Sequence, residues 1–542
     1  MSSMYDYVIV GAGSAGCVLA NRLSKGPSTQ VLLLEAGSKD SSPFIHMPAG
    51  IARLLATRNF NWAFDTAEEP NLNNRRLYWP RGKGLGGSSS INGMIYIRGH
   101  AQDYDHWRQL GNEGWSYEEL LPYFKRSINN ERGEDEYHGA GGPLNVMDQN
   151  AVLPSHDYFV QAGVEAGYSF NDDFNGEGQE GVGSFQLTKI GKQRCSAARA
   201  FLTPVLDRDN LTVVTEARSL RIDLEGKKAQ GITYLKAGQK HQVTAAKETI
   251  ICAGAVQSPQ LLQLSGVGNP EDLSAVGIDC VHPLSGVGQN LQDHLDVMVQ
   301  RYCNDPGLSL ARFTSLHQMV LSLTRYLMFK NGPAVESPVV AGGFIKSRNE
   351  LEIPDLQLHF VPAIIVDHGR ERVGDPGLSI HVCQLRPESR GEVRLASADP
   401  LDEPVIKANY LSVPSDVDAL VEGVKVARRI FDTERFRPIL GEEFETSRDA
   451  QSDEEIEDFV RQNAETIYHP VGTCRMGHDD MAVVDARLRV RGLQSLRVVD
   501  ASVMPTLIGG NTNAPTIMIA EKASDMILED NDVTGQRGSG SP

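Results

Sequence analysis

Gly11, Gly13 and Gly16, in the run Gly11-Ala-Gly-Ser-Ala-Gly16, have the spacing that recognition of a pyrophosphate requires. Gly11 turns the chain, Gly13 lets backbone N–H groups approach the phosphates, and Gly16 lets a helix pack closely on the preceding strand. The N-terminus of that helix brings partial positive charge to the same place. Glu35 ends the apolar run Val31–Leu34, where a carboxylate accepts hydrogen bonds from ribose hydroxyls and repels a 2′-phosphate. These residues describe a dinucleotide site and leave NAD and FAD both open.

The second set of chemical candidates lies near the C-terminus. His469 sits in Tyr468-His-Pro-Val-Gly-Thr-Cys-Arg-Met-Gly477, a turn-rich and mostly uncharged setting. An imidazole titrates near neutrality and can take a proton from a hydroxyl, although by spacing alone a single His is more often a satisfied structural residue. Leu496-Arg-Val-Val-Asp500 is a short strand ending in an acid, and Asn511-Thr-Asn-Ala-Pro-Thr-Ile-Met518 reads as a cap followed by Pro near the first helical position. His294, beside Asp293 and Asp296, reads as part of a structural hydrogen-bond network, and His359 as a residue that lines a substrate lobe. No GxSxG or HExxH motif is present, and no metal ligand set is expected.

These residues need elements to hold them. Tyr5–Val10 and Val31–Leu34 read as buried parallel strands joined by a helix with Val18, Leu19 and Leu23 on one face. A second Gly-rich segment, Arg81-Gly-Lys-Gly-Leu-Gly-Gly-Ser-Ser-Ser-Ile-Asn-Gly-Met94, runs directly into the apolar Ile95 and Tyr96, so it enters a packed element. Strands are expected at Leu211–Val214, Leu220–Ile222 and Glu248–Ala253, followed by a helix in 254–268 opened by Ser258-Pro259 and closed by Gly. Between 311 and 460 the texture changes. A helical face carries Leu316, Met319, Val320, Leu323 and Leu327 and reads as core rather than membrane contact. Strand-like pieces follow at 356–360, 379–384 and 392–395, then helices near 417–429 and 453–463.

The 542 residues exceed what one hydrophobic core holds. A balance of 52 basic against 70 acidic residues gives a net charge of −18, which repels phosphate backbones, so no nucleic-acid partner is expected. The seven cysteines at 17, 195, 252, 280, 303, 383 and 474 form no CxxC motif and fit a reducing cytosol. No signal peptide and no 18-residue apolar run is read from the chain.

Taken together, the segments resemble the glucose–methanol–choline (GMC) family of FAD-dependent oxidoreductases over about residues 5 to 528. Both family signatures are present, in Gly82–Asp105 and Gly254–Gly268, and Gly286–His294, Ser389–Val393 and Tyr468–Gly477 are further family-type segments. Bacterial membrane-associated alcohol dehydrogenases are the nearest kind, choline dehydrogenases the next. The resemblance implies an α/β fold with a noncontiguous Rossmann-like FAD-binding domain and an α+β substrate domain with a mostly antiparallel sheet. The expected division gives 1–155, 208–310 and 461–530 to FAD binding, 156–207 and 311–460 to substrate, and 531–542 to a flexible tail.

By the same resemblance, Gly11, Ala12, Gly13, Ser14, Ala15, Gly16, Glu35 and Ala36 hold the ADP half of FAD, and the backbone of Leu220 meets adenine. Arg81, Gly87, Ser88, Asn92, Gly93, Met94 and Ile95 line the pyrophosphate and flavin; Asp500, Ala501 and Thr512 complete the site. His469 matches the family's active-site histidine and Asn513 its His-or-Asn partner. Some members attach FAD covalently through a histidine whose position is Ile91 here, so the cofactor is expected to be non-covalent.

The activity implied is oxidation of a primary, aliphatic alcohol to an aldehyde. His469 takes the hydroxyl proton, Asn513 donates to the same oxygen, and a hydride passes to flavin N5, with a helix near Pro515 stabilising the reduced flavin. Electrons are expected to pass to a quinone-type acceptor, in a cytoplasmic enzyme in peripheral contact with the inner face of the membrane. The alternatives are an oxidase using O2, a choline dehydrogenase drawing on Tyr326, Phe329 and Glu336, and an FAD-containing lyase.

Overall fold

Strand Ser3–Val10 and strand Val31–Leu34 lie at the centre of the molecule because they are apolar on both faces; Tyr7 to Val10 and Val31 to Leu34 are all buried. The computed structural model describes residues 3–149, 153–371 and 373–538. Strand Ser3–Val10 is flanked in parallel by Val31–Leu34 and by Gln239–Ile251. Leu211–Val214 extends one side in parallel, and the second half of Gln239–Ile251 takes the parallel strand Leu496–Val498. An antiparallel arm, Arg218–Glu225 with Lys228–Lys236, completes a seven-stranded sheet. Helix Ser14–Leu23 and the long helix Asn513–Gly538 pack together on it, and the buried Glu521 accepts from both Arg22 (2.6 Å) and Arg126 (2.9 Å).

The second lobe is an antiparallel sheet in which Leu295–Cys303 and Leu356–Val361 pair with the two sides of Gly377–Gln384, and Ala341–Ile345 and Gly181–Ser184 follow outward. Helix Pro414–Phe431 covers it, and its buried Asp416 accepts from Gln384, from the backbone N–H groups of Glu388 and Ser389, and from the Ser389 hydroxyl. The Ser389–Val393 segment is thus a clamp that ties a strand turn to the covering helix. The fold is α/β with a mostly antiparallel second sheet.

Several details differ from the sequence expectation. Leu295–Cys303 falls inside 208–310 yet its hydrogen bonds place it in the second sheet, since its buried face needs that sheet's core. The helix Gly254–Leu264 begins before Ser258-Pro259, with Pro259 inside its first turns. The stretch read as a tail continues the last helix to Gly538, while 539–542 lie outside the described residues. In helix Leu316–Phe329, the residues read as core divide: Met319 and Leu323 are half-buried, Val320 and Leu327 face solvent, and the side chain of Leu316 lies outside the described ones.

Candidate active site

The cleft between the lobes follows from where the parallel strands stop. Gly11, Glu35, Cys252 and Asp500 all stand just beyond the carboxyl ends of sheet strands, where open α/β sheets take ligands. The cleft has about 2050 Å³ of empty space, part of it open to solvent, and the second sheet closes it with His359 and His381. Of the residues predicted to bind cofactor, it brings together Gly11, Gly13, Ser14, Ala15, Glu35, Ala36, Arg81, Gly87, Ser88, Asn92, Gly93, Met94, Ile95, Asp500, Ala501 and Thr512.

The remaining three stand behind the wall. The Ala12 N–H donates to Glu35 Oε2 (2.8 Å), and Gly16 packs against Gly11, where a Cβ would sit 1.9 Å from the Gly11 carbonyl oxygen. Leu220 is the correction at the adenine end. It is buried within strand Arg218–Glu225, and the cleft wall is made instead by Ala217 and by Arg218 and Ser219 at the start of that strand. Trp62 also lines this end, with the Arg218 guanidinium 4.5 Å and the Lys83 ammonium 4.3 Å from its ring centroid; sequence reading missed it.

The geometry fits a dinucleotide. A Cβ built at Gly13 or at Gly93 meets no protein atom within 4 Å, so at both places the space above the backbone belongs to the cleft. Glu35 is held in place by the N–H groups of Ala12 and Gly37 (2.7 Å), and burial raises its pKa against those donors. Asp500 accepts from Gly254 N–H, Ser502 N–H and the Ser258 hydroxyl, which fixes the turn where the helix Gly254–Leu264 starts. Asn92 is pinned by Arg194 (2.7 Å to Oδ1), a buried guanidinium whose pKa burial lowers to about 9.

At the opposite end lies His469, and a directional chain of hydrogen bonds runs through it. His294 Nε2 is 3.0 Å from the Leu385 carbonyl oxygen, and His294 Nδ1 is 3.0 Å from His469 Nδ1. A carbonyl only accepts, so His294 carries its hydrogen on Nε2 and offers the lone pair of Nδ1; His469 then carries its hydrogen on Nδ1, leaving Nε2 as a free-base acceptor. On the far side, Asn511 Nδ2 donates to His469 Nε2 (3.2 Å), and Gln357 Nε2 donates to Asn511 Oδ1 (3.1 Å), which orients the amide.

The structure therefore places Asn511, rather than Asn513, against His469. Asn513 Oδ1 accepts from the Ser14 hydroxyl (2.7 Å) and lines the cleft at the pyrophosphate end. The helix begins at Asn513, so its side chain follows the helix toward Ser14, while Asn511 still belongs to the preceding loop. A signal existed in the sequence: two asparagines, one on each side of a helix start, cannot face the same way.

His294 does sit in a buried hydrogen-bond network, as expected, but its partners are His469 and the Leu385 carbonyl rather than Asp293 and Asp296. The structural carboxylate is Asp293, which accepts from His469 N–H (2.7 Å), Thr466 Oγ1 and Tyr410 Oη, and which burial raises to about 6 despite the nearby Arg81. Arg81 donates to the Tyr468 carbonyl (2.6 Å), with its own pKa lowered to about 10 by burial. These bonds hold both sides of His469 rigid. Burial, followed by the neighbouring His294, His359 and Arg81, keeps the pKa of His469 well below 6.5, so its imidazole is neutral at physiological pH. Among the described residues no group of three or more His, Cys, Asp or Glu is arranged to hold a metal ion.

A Rossmann-type cleft that ends on a neutral, acceptor-poised imidazole defines a dinucleotide-dependent oxidoreductase. Residues 5–296 and 387–520 match the two family models described as GMC oxidoreductase. The chain belongs to the GMC oxidoreductase family, and its cofactor is FAD. It is 49% identical over 528 residues to the alcohol dehydrogenase (acceptor) of Pseudomonas putida, covering 97% of this chain and 96% of that one. It is 46% identical over 532 residues to the mitochondrial choline dehydrogenase of Homo sapiens, covering 96% and 89%. Among solved structures, formate oxidase superposes with a TM-score of 0.91 at 28% identity over 98% of this chain and 99% of that one.

Proposed function

We propose that the protein oxidises a primary aliphatic alcohol to the aldehyde and passes the electrons to a quinone-type acceptor. The observation that carries the reading is the hydrogen-bond chain that leaves His469 Nε2 as an acceptor in the cleft wall. When substrate binds, its hydroxyl replaces the Asn511 N–H at that lone pair: the hydroxyl proton goes to Nε2 as alkoxide character develops, and the displaced Asn511 amide N–H donates to the hydroxyl oxygen without adding charge. Asn511 and His469 together fix the oxygen between two known directions, which orients the adjacent C–H. FAD, when bound, supplies the two-electron acceptor for the hydride. Gly11 to Ala15, Glu35 and Ala36 would hold its ADP half; Gly87, Ser88, Asn92, Gly93 and Met94 would stand along the rest. Ile91 lines the cleft and offers no nucleophile, which supports non-covalent attachment.

The walls near His469 favour an aliphatic substrate. Val339, Val361 and Ile467 are apolar, and the carboxylates that line the cleft, Glu35 and Asp500, are both tied to backbone N–H groups at the dinucleotide end. A quaternary ammonium group calls for an aromatic cage with a carboxylate. Tyr326 is buried outside the cleft wall, Phe329 is on the surface, and Glu336 lies beside Lys189, so the three residues considered for that cage do not gather around His469. Choline remains the second reading because choline dehydrogenases stand among the relatives at 44–46% identity.

We place the enzyme in the cytoplasm with a peripheral contact on the inner face of the membrane; among the described residues no helix is long and apolar enough to cross one. The deciding experiment mixes the yellow protein anaerobically with 1-octanol or choline, follows the flavin band, then admits air. Bleaching by octanol that persists in air is the expected result. Rapid recovery in air would indicate an oxidase, preferential bleaching by choline the second reading, and no bleaching by any alcohol a lyase.

A further inference from the structure

Residues 306–335 contain no Asp or Glu, although acids make up 70 of the 542 residues, and they carry Arg312, Arg325 and Lys330. The segment folds as the helix Leu316–Phe329, about 21 Å long at 1.5 Å per residue. Its inner side is narrow: Tyr326 is fully buried against Met47 and Ala334, with Leu323 and Phe44 half-buried beside them. The outer side is not polar. Val320, Leu321, Leu327, Met328 and Phe329 are 57%, 43%, 50%, 68% and 67% exposed, so apolar residues occupy most of the arc that faces water. Single exposed apolar residues are ordinary, but a helix that is apolar on both sides is normally covered on both.

From this surface we infer that the outer face of helix Leu316–Phe329 docks on an anionic lipid bilayer, lying in the plane of the headgroups. Val320, Leu321, Leu327, Met328 and Phe329 enter the acyl boundary, and Arg312, Arg325 and Lys330 meet lipid phosphates. Charge selects this occupant. The rest of the chain is strongly acidic and is repelled by such a bilayer, whereas this one stretch is basic and apolar at once. The position of the helix is consistent with use. Phe44 and Met47, on which it leans, lead directly into helix Ile51–Leu55, and Ile51 and Leu55 line the cleft. Docking therefore sets the cleft wall beside the lipid, on the side from which a long-chain alcohol or a lipid-soluble acceptor arrives. The inference deepens the peripheral contact proposed above by naming its surface, and the alcohol chemistry does not depend on it.

The test is flotation of the full-length, FAD-loaded enzyme with vesicles of equimolar phosphatidylglycerol and phosphatidylcholine, and with phosphatidylcholine alone. The wild type should float with the anionic vesicles, and the double variant Leu327→Gln/Met328→Gln should lose at least about tenfold in partitioning. Arg325→Gln/Lys330→Gln should remove the preference for anionic lipid, as should about 0.5 M salt. Both variants should keep alcohol turnover with a soluble dye, which shows that they are folded and separates this surface from the proposed chemistry. Equal partitioning of wild type and both variants, or no flotation of the wild type, would overturn the inference. So would a wild-type dimer that Leu327→Gln/Met328→Gln converts to monomer, because the face would then belong to a second copy.

Discussion

His294 and His469 meet nitrogen to nitrogen, Nδ1 to Nδ1 at 3.0 Å, across 175 residues of sequence. Two imidazoles bond in this way only when one donates and the other accepts, and the Leu385 carbonyl on the far side of His294 decides which. In the proposed reaction His294 is a positioning residue: it holds the tautomer of His469 without reaching the cleft itself.

Replacing His294 by Phe removes the acceptor for His469 Nδ1–H and frees the ring to flip. Turnover of alcohol should fall by about 10–100-fold with FAD retained, the loss lying in kcat rather than KM. His294→Gln, which can accept at the same place, should recover part of the rate. If Phe and Gln behave alike, the tautomer argument fails.

His469→Ala should keep its flavin and lose alcohol-driven reduction by about 10²–10⁴-fold, the range of a general base. Asn511→Ala should cost more in reduction rate than Asn513→Ala, because Asn511 bonds His469 and Asn513 bonds Ser14. Rapid mixing with alcohol under anaerobic conditions ranks the three. A larger loss for Asn513→Ala would restore Asn513 as the partner.

The motif glycines should separate in the same spirit. Gly13 has a φ of −76° and an open space above it, so Gly13→Val should fold and purify without flavin. Gly16→Val should instead fail to fold, since its Cβ would lie 1.9 Å from the Gly11 carbonyl oxygen. Soluble yield, circular dichroism and flavin absorbance distinguish the two. A yellow, fully loaded Gly13→Val protein would contradict the phosphate-approach argument.

The buried histidines set a pH dependence with a definite sign. Burial lowers His294 and His359 to about 3 and holds His469 well below 6.5, while each titrates near 6.5 when unfolded. Below 6.5 the unfolded chain binds protons that the folded protein refuses, so this contribution to stability is full above 6.5 and is lost as pH falls toward 3. The rate of flavin reduction should be flat from neutral pH upward and drop on the acid side only. Melting temperatures from neutral to about pH 4.5 should decline less for His359→Gln than for the wild type.

What the sequence determined by itself is local. The strand, the Gly11–Gly16 turn and the following helix are contiguous, and each glycine answers a steric demand from atoms nearby, so type and spacing suffice. Type and spacing did not single out His469, which could equally be a structural histidine; the resemblance of its segment to the family's did. Tertiary structure decided everything that depends on direction. Asn511 and Asn513 have the same chemistry and lie two residues apart, but the helix start between them sends one to His469 and the other to Ser14. His294 and Gln357 become part of the site because the second sheet folds back over the first lobe and brings their side chains to those of His469 and Asn511. The apolar residues of Leu316–Phe329 promised a core face, yet packing covers only the narrow side at Tyr326 and leaves the broad side to solvent. Periodicity shows which residues share a helix face, and the rest of the fold decides what lies opposite.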